Sequence, residues 1–195
     1  MNHYFTRDND GLKKDPKLII FKINQSEYTM ETDSGVFSRS GLDYGTRVLL
    51  ETILPLNVKS VLDLGCGYGP IGIVLSKETK ATVLMADINQ RALELAKKNA
   101  IRNKIDVEVV ESDEFTSING KFDAIVTNPP IRAGKQVYYE WFEKSKDFLT
   151  ESGSFYVVIQ KKQGAPSAIK ELEKFYPKVE ILDKKSGYFV IKCRM

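Results

Sequence analysis

The sequence predicts an α/β fold: a doubly wound, mostly parallel sheet carries helices on both faces, and a β-hairpin extension precedes it. Two observations predict this fold class. From residue 58 onward, short apolar runs alternate with amphipathic stretches, which is typical of parallel strands joined by helices. The runs are apolar at nearly every position, as expected when both faces of a sheet are buried.

The N-terminal part of the chain favours two strands and a helix. Leu18–Phe21 and Tyr28–Met30 are rich in β-formers and are separated by the polar segment NQSE. This pattern predicts a hairpin, which we expect to cover a sheet edge. In LDYGTRVLLETIL the apolar residues share one helical face, which predicts a helix; they are Leu42, Val48, Leu49 and Ile53.

The alternating part follows in order. The strand VKSVLDL precedes the helix IGIVLSKE, and the strand ATVLMAD precedes the helix NQRALELAKKNAIRNK, where Asn89 can cap the first turn. The third and fourth strands are DVEVVE and FDAIVT. A helix carrying Tyr138, Phe142 and Phe148 then leads to the strand GSFYVVIQ. The helix APSAIKELEKF and a hairpin turning at Ser186 end the chain.

Composition and charge exclude several classes of protein. The 195 residues suit one domain. A polar N-terminus and the lack of a long apolar run predict a cytoplasmic protein with no membrane partner. Cys66 and Cys193 stand far apart and the single histidine is His3, so we expect neither a metal site nor histidine-driven catalysis. The net charge of +3 permits a polyanionic partner without requiring one.

The turn GCGYG, after the first alternating strand, is the first candidate site. Gly65, Gly67 and Gly69 let the backbone approach a ligand closely, and Pro70 is favoured at the first position of the next helix. We expect the loop to offer free N–H groups that suit a carboxylate or phosphate. Its G-x-G-x-G spacing differs from the G-x-G-x-x-G of pyrophosphate-binding turns. A nicotinamide-dependent dehydrogenase is therefore a weak alternative.

Three aspartates stand near the ends of neighbouring strands. Asp87 ends the second alternating strand, where an acidic side chain accepts hydrogen bonds from ribose hydroxyls in doubly wound nucleotide folds. Asp63 lies inside an apolar strand and needs a partner, because burying an unpaired charge is costly. It either meets a ligand amine or holds the loop backbone. Asp113 either contacts an adenine amino group or caps a helix.

The segment TNPP ends the fourth strand and is the second candidate site. Pro129 and Pro130 stiffen the turn and remove two N–H donors. The side-chain oxygen of Asn128 and the Pro129 carbonyl are then left as acceptors held in fixed directions. Two acceptors suit an NH₂ group, whose lone pair they can turn toward an electrophilic carbon. Preorganised dipoles stabilise the positive charge that develops on such a nitrogen.

With these two sites, the chain from residue 35 onward resembles class I S-adenosylmethionine-dependent methyltransferases. The resemblance implies a seven-stranded sheet that ends in a β-hairpin, and S-adenosylmethionine as cofactor. Asp87 would hold the ribose, Asp113 would touch adenine, and Asp63 with the first two glycines would surround the amino acid end. The cofactor-binding residues it implies are Thr46, Asp63, Gly65, Cys66, Gly67, Gly69, Asp87, Ile88, Asp113 and Asn128.

Asn-Pro-Pro resembles the Asp/Asn-Pro-Pro-aromatic motif of amino-group methyltransferases, which act on adenine in DNA, glutamine in proteins or guanine in RNA. The catalytic residues it implies are Asn128, Pro129, Pro130 and Ile131. Ile131 departs from the motif, since an aromatic residue at that position would stack on a flat target. Tyr138 and Tyr139 could substitute for it, although aromatic residues at helical spacing more often belong to a core.

Three segments narrow the resemblance: GVFSRSGLDYGTRVLLE, TNPPIRAGK and QKKQGAPSAIKELEKF. Together they are similar to the ribosomal RNA small subunit methyltransferase C family and its single-domain relatives. The similarity implies N2-methylation of guanine in 16S RNA, with a hairpin extension at 1–36 and a catalytic core at 37–195. Phe37, Ser38, Asp43 and Gly45 would lie with Thr46 near the cofactor mouth.

Four basic residues lie on the carboxyl side of the sheet: Arg132, Lys135, Lys161 and Lys162. Their position predicts contacts with RNA phosphates. We therefore expect ribosomal RNA or a ribosomal subunit as partner, for either a monomer or a dimer. The same chemistry on protein glutamine or DNA adenine is one alternative. A non-catalytic RNA-binding factor in ribosome assembly is another.

Overall fold

Every strand predicted from the alternating pattern is present in the computed structural model, which describes residues 12–195. The strands of the main sheet are β3 (Ser60–Leu64), β4 (Thr82–Asp87), β5 (Glu108–Glu111), β6 (Phe122–Thr127), β7 (Leu149–Gln160), β8 (Lys178–Lys185) and β9 (Tyr188–Arg194). Their order is β5-β4-β3-β6-β7-β9-β8. Strand β9 runs antiparallel to the other six. This confirms the mostly parallel seven-stranded sheet that ends in a hairpin.

Helices cover both faces of this sheet. They are α1 (Tyr44–Ile53), α2 (Pro70–Thr79), α3 (Gln90–Arg102), α4 (Lys135–Ser145) and α5 (Ala165–Leu172). The first three share one buried apolar cluster and the last two share another. Local chemistry sets where they start: Asp43 and Asn89 accept hydrogen bonds as N-caps of α1 and α3, and Pro70 opens α2.

The junction between α4 and β7 differs from the prediction. Helix α4 ends at Ser145, and Phe148 lies in a short 3₁₀ turn with its ring stacked on Phe115 at 4.6 Å between centroids. Strand β7 begins at Leu149 rather than at Gly153, because Leu149 already pairs with β6 before a register shift. The aromatic residues thus keep a helical spacing up to Phe148, although the helix ends at Ser145 and strand pairing begins at Leu149.

The N-terminal hairpin is confirmed, but it does not cover a sheet edge. Strands β1 (Lys17–Ile23) and β2 (Ser26–Thr32) form a separate two-stranded sheet. Its buried side chains, such as Phe21 and Met30, join the apolar cluster of α1 to α3. The prediction failed because packing against these helices buries the apolar side of the hairpin without any pairing to the main sheet.

One side chain, Asn99 of α3, connects the hairpin to the loop after β3. Its Oδ1 accepts from the Glu31 N–H at 2.6 Å, and its Nδ2 donates to the carbonyls of Glu31 and Tyr68, both at 2.9 Å. Asn99 is fully buried. Both N–H donors and one oxygen lone pair of this buried amide are therefore used to join these two segments.

No helix within residues 12–195 combines the length and apolar character needed to cross a membrane. The single histidine, His3, lies outside the described residues.

Candidate active site

A cleft opens at the carboxyl ends of β3, β4, β5 and β6, where sheets of this type bind ligands. The space inside it, including the open solvent at its mouth, is about 1030 Å³. The predicted site residues that line it are Thr46, Gly65, Cys66, Gly67, Asp87, Ile88, Asp113, Asn128, Pro129 and Pro130. The fold thus brings together both candidate sites and the first turn of α1.

Left-handed backbone conformations shape the glycine loop between β3 and α2. Gly65 and Gly67 have φ angles of 70° and 57°, which favour glycine. A Cβ on Gly65 would also lie 2.9 Å from the Trp141 ring, whereas a Cβ on Gly67 would have nothing within 4 Å. Gly65 is therefore needed for packing, and Gly67 leaves open space above the loop.

The prediction that the loop offers free N–H groups is wrong for its first three residues. Gly65 and Cys66 donate to the Ala86 carbonyl at 2.8 and 2.9 Å, and Gly67 donates to Asp87 Oδ2 at 2.8 Å. Partly buried N–H groups need acceptors, and the end of β4 supplies them. What remains for a ligand is therefore the backbone of the glycines, which a ligand can approach closely because they have no side chains.

Asp87 lies at the centre of these contacts. Its Oδ1 accepts from the Asn89 N–H at 2.8 Å while its Oδ2 accepts from Gly67. Burial raises the pKa of the Asp87 carboxyl, although its backbone hydrogen bonds act in the opposite direction. Each carboxylate oxygen can accept a further hydrogen bond, so Asp87 can bind hydroxyl groups of a ligand in the cleft.

Asp63 and Gly69 lie behind the cleft rather than on its lining. Asp63 Oδ2 accepts from the Gly72 N–H at 2.7 Å, which is the backbone-holding alternative of the two predicted. The other oxygen, Oδ1, is buried and has no hydrogen-bond partner among the described residues. Gly69 is the N-cap of α2, and a Cβ there would face Ile73 at 3.1 Å. Asp63 and Gly69 therefore hold the glycine loop and the start of α2 in place without lining the cleft.

The buried Asp63 carboxyl should make folding stability depend on pH. Burial, with the nearby Asp87 charge, raises its pKa from 3.8 to about 7. A raised pKa means that the folded state favours the protonated form, so stability present below about pH 4 is lost as the pH rises toward 7. A pKa difference of this size corresponds to ~4 kcal/mol in the free energy of unfolding.

We expect Asp63→Asn to remove most of this pH dependence, because asparagine keeps an acceptor for Gly72 and carries no titratable proton. Urea unfolding of both proteins between pH 4 and 8 measures the difference. Asp106→Asn, which changes an exposed carboxylate, is the control. The same pH slope in wild type and Asp63→Asn would contradict the assignment.

The amide nitrogen of Asn128 is fully used by two acceptors near the start of α1. Its Nδ2 donates to Asp43 Oδ2 and to Thr46 Oγ1, both at 2.9 Å. An asparagine amide has two N–H donors, and both are satisfied here. The side-chain oxygen of Asn128 has no donor among the described residues. It is left as a hydrogen-bond acceptor on a residue that lines the cleft.

The two prolines form a tight turn in which the Pro129 carbonyl already accepts one hydrogen bond. Pro130 has φ −75° and ψ 75°, and the Ile131 N–H donates to the Pro129 oxygen at 2.8 Å. This is an inverse γ-turn. The Pro129 carbonyl therefore has one lone pair left, where the sequence suggested a wholly free acceptor.

Aromatic side chains near Ile131 do not replace the missing aromatic of the motif. Ile131 lies outside the cleft lining and packs against the cluster of α4 and α5. Tyr138 is fully buried, with its ring 4.9 Å from Tyr139 and 5.6 Å from Phe142. Tyr138 therefore belongs to the core, and the partly buried Tyr139 packs against it.

Asp113 lines the cleft and does not cap a helix. Residues 113–117 form turns, and the Asp113 side chain is exposed. Among the residues predicted near the mouth, Phe37 lines the cleft with 37% of its surface exposed. Ser38 does not line it; its hydroxyl donates to the Gly41 carbonyl at 2.7 Å. The aromatic surface at the mouth thus comes from the loop before α1.

The four predicted basic residues form a rim outside the cleft lining. Arg132, Lys135, Lys161 and Lys162 are all exposed, and within residues 12–195 none of them forms an ion pair with a carboxylate. Lys135 Cε would lie 3.8 Å from a Cβ on Gly164. The segments after β6 and after β7 are therefore neighbours, and we call these four residues the basic rim.

Sequence reasoning missed Trp141 as a lining residue. It lies in α4, nine-tenths buried, against Gly65 and the cleft. Its only signal in the sequence is a place beside Tyr138 and Phe142 on an apolar helical stripe, which predicts a core residue equally well. Distinguishing the two roles requires knowing which part of α4 faces the glycine loop.

Comparison with known proteins gives consistent matches. The family model described as methyltransferase small domain matches residues 27–192. A Bacillus subtilis protein named "Uncharacterized protein YbxB" is 42% identical over 199 residues, covering 100% of this chain and 99% of that protein. A Haemophilus influenzae "Ribosomal RNA small subunit methyltransferase C" is 42% identical over 137 residues. That match covers 68% of this chain and 42% of the longer relative.

Among solved structures, a T. thermophilus 16S rRNA N2 methyltransferase, in complex with AdoMet and guanosine, superposes with a TM-score of 0.84. It is 24% identical, and the match covers 92% of this chain and 50% of that chain. At this identity the likeness shows a shared fold.

Proposed function

This chain belongs to the methyltransferase small domain family, and on that premise we propose that it transfers a methyl group from S-adenosylmethionine to an exocyclic amino group, guanine N2 of ribosomal RNA. The observation that carries the proposal is the orientation of Asn128. With both amide hydrogens bound to Asp43 and Thr46, its oxygen is available to accept a hydrogen bond from an NH₂ group.

The chemistry of the cleft lining fits this cofactor. Asp87 can accept hydrogen bonds from ribose hydroxyls, and Ile88 gives an apolar surface for the base beside Asp113. The open space above Gly67 leaves room for the amino acid end. When bound, S-adenosylmethionine supplies an electrophilic methyl carbon. The core at 37–195 would hold it, with 1–36 as an extension.

The Asn-Pro-Pro turn would act on the acceptor nitrogen. Asn128 Oδ1 and the remaining lone pair of the Pro129 carbonyl would each accept one hydrogen of the NH₂ group, and they would hold its nitrogen lone pair away from the turn, free to react. The nitrogen would become positive as it gains the methyl group, with S-adenosylhomocysteine as the leaving group, and would then lose one proton to solvent. Two fixed acceptors would stabilise the nitrogen most while it is positive. Orientation of the reacting atoms supplies further acceleration. No histidine is needed for these steps.

The basic rim supports RNA as the acceptor. Four exposed cations, without carboxylate partners within residues 12–195, lie in the segments that follow β6 and β7, and one of them, Arg132, stands between the lining residues Pro130 and Ala133. Such cations bind phosphates without reading sequence. A guanine must leave its stack to reach the cleft, so a loop or an incompletely assembled subunit is the expected form of the RNA. A ribosomal acceptor also implies a cytoplasmic location.

Protein glutamine is the second candidate acceptor, and Ile131 is the observation that favours it. A glutamine amide is not an aromatic base and does not need a stacking partner, so an aliphatic residue after Pro130 would suffice. A protein substrate has no backbone phosphates for the cations of the basic rim to bind, which is why we favour RNA.

Transfer of labelled methyl groups distinguishes these acceptors. The protein and labelled S-adenosylmethionine are incubated separately with 30S subunits, stripped 16S RNA, DNA and a ribosomal protein extract. We expect label in RNA, released as N2-methylguanosine after digestion and identified by mass spectrometry. Label confined to protein would support glutamine, and label in no fraction would support a non-catalytic factor.

The basic rim yields a separate prediction for RNA binding. We expect Lys161→Ala combined with Lys162→Ala to weaken RNA binding by about tenfold near physiological salt and to lower the salt-dependence slope by about 2. Cofactor affinity should not change. Binding of 16S RNA fragments across a salt series measures both quantities. Lys97→Ala with Lys121→Ala removes the same charge from other exposed positions; an equal loss in this control would exclude a specific role for the rim.

A further inference from the structure

We propose that Asp43, assisted by Thr46, is a positioning residue that fixes the amide of Asn128 with its oxygen toward the acceptor and increases the negative charge on that oxygen. The inference rests on the proposed function, in which Asn128 accepts a hydrogen bond from the reacting NH₂ group. Asp43 itself needs no contact with either substrate.

The hydrogen bonds determine the amide orientation. Asp43 Oδ2 accepts from Asn128 Nδ2 at 2.9 Å, and Thr46 Oγ1 accepts from the same nitrogen at 2.9 Å. If the amide were rotated by 180°, its oxygen would face a carboxylate and would lose a charge-assisted hydrogen bond. The reversed orientation is therefore disfavoured without any contact from the substrate.

Asp43 does more than an N-cap requires. The same Oδ2 atom accepts from the Thr46 N–H at 2.8 Å, which caps α1. Serine would cap nearly as well, but its shorter side chain would not extend to Asn128. The carboxylate also polarises the amide through its N–H, because hydrogen bonds in a chain strengthen one another. The charge on the Asn128 oxygen increases on the side where the acceptor nitrogen becomes positive.

The packing around Asp43 keeps this contact in place. A Cβ on Gly45 would lie 2.7 Å from Tyr188 Cε1 and 3.0 Å from Asp43 Oδ2. Tyr44 bonds Ser186 at 3.0 Å between hydroxyls, and its ring lies 5.6 Å from that of Tyr188. The first turn of α1 is thus attached to the β8–β9 hairpin, which limits its movement relative to the cleft.

Variants that keep the cap separate positioning from folding. We expect Asp43→Ser to have a melting temperature close to that of wild type and a kcat at least tenfold lower. Its cofactor Kd and RNA KM should stay within about twofold of the wild-type values. Asp43→Asn keeps the shape without the charge and should recover part of kcat. Thr46→Val removes the second acceptor and should lower kcat by several-fold. Thr46→Ser keeps a hydroxyl acceptor and should have a kcat close to that of wild type.

A spectroscopic measurement tests the positioning without activity. In wild type the side-chain NH₂ signals of Asn128, assigned by their loss in Asn128→Ala, should exchange slowly with water. In Asp43→Ser they should exchange faster and shift toward those of exposed amides. Asp123→Ser is the matched control, since the Asp123 side chain likewise accepts backbone N–H groups, those of Lys59 and Ser60, but at the amino ends of β3 and β6.

Two results would overturn the proposal: unchanged Asn128 signals in Asp43→Ser, or a kcat that falls no more than in Asp123→Ser. A wild-type protein that methylates no RNA would instead refute the proposed function. The amide signals would still decide the positioning of Asn128 in that case.

Discussion

Replacing Asn128 with alanine is expected to lower turnover by several hundredfold. The variant loses the side-chain oxygen of Asn128, which in the proposed mechanism accepts a hydrogen bond from the NH₂ group. Removing one preorganised hydrogen-bonding group from a transition state costs ~3–4 kcal/mol in comparable sites. The fully used Asn128 nitrogen is not available to the cofactor, so cofactor affinity should change by less than about threefold.

Single-turnover transfer to 16S RNA measures the first effect, and calorimetry with S-adenosylhomocysteine measures the second. Asn103→Ala is a matched control, because Asn103 joins α3 to Thr29 of the hairpin, remote from the cleft. It should lower stability and leave turnover unchanged. Near-normal turnover in Asn128→Ala would remove the basis of the proposed mechanism.

Replacing Asp87 with alanine is expected to weaken cofactor binding by about a hundredfold. Hydrogen bonds to a charged group contribute roughly 1.5–3 kcal/mol each, and the carboxylate would accept two from the ribose. The variant also loses the acceptor for the Gly67 N–H, which should loosen the loop. Asp87→Asn should show a smaller loss, since an amide oxygen retains part of this capacity.

Calorimetric titration with S-adenosylhomocysteine checks this expectation, with Asp106→Ala as the surface control. If the Asp87 variants lose cofactor affinity only to the extent that their melting temperature falls, Asp87 has a structural role. Unchanged affinity would exclude the ribose assignment.

The sequence predicted the elements well where a local pattern decides the structure. The buried strands β3, β4 and β6 follow from continuous apolar runs, because a strand covered on both faces has no polar side. Asn89 caps α3 as predicted. Ser186 and Gly187 both have positive φ angles, 50° and 82°, which fits a two-residue hairpin turn.

Features that depend on contacts between distant residues were not predictable in this way. The contacts of Asn128 with Asp43 and Thr46 join segments more than eighty residues apart in sequence. The N–H groups of the glycine loop find acceptors on β4, which no local pattern reports. The packing of the hairpin on α1 to α3 and the exposure of Trp141 to the cleft likewise depend on how elements meet in three dimensions.

The buried amide of Asn99 couples the position of the hairpin to the position of the glycine loop. Because that side chain binds Glu31 on one side and Tyr68 of the glycine loop on the other, neither segment can shift without a cost to the other. Linkage is reciprocal: if a partner bound to the extension changes the affinity of the glycine loop for a ligand, that ligand changes the affinity for the partner by the same factor and in the same direction.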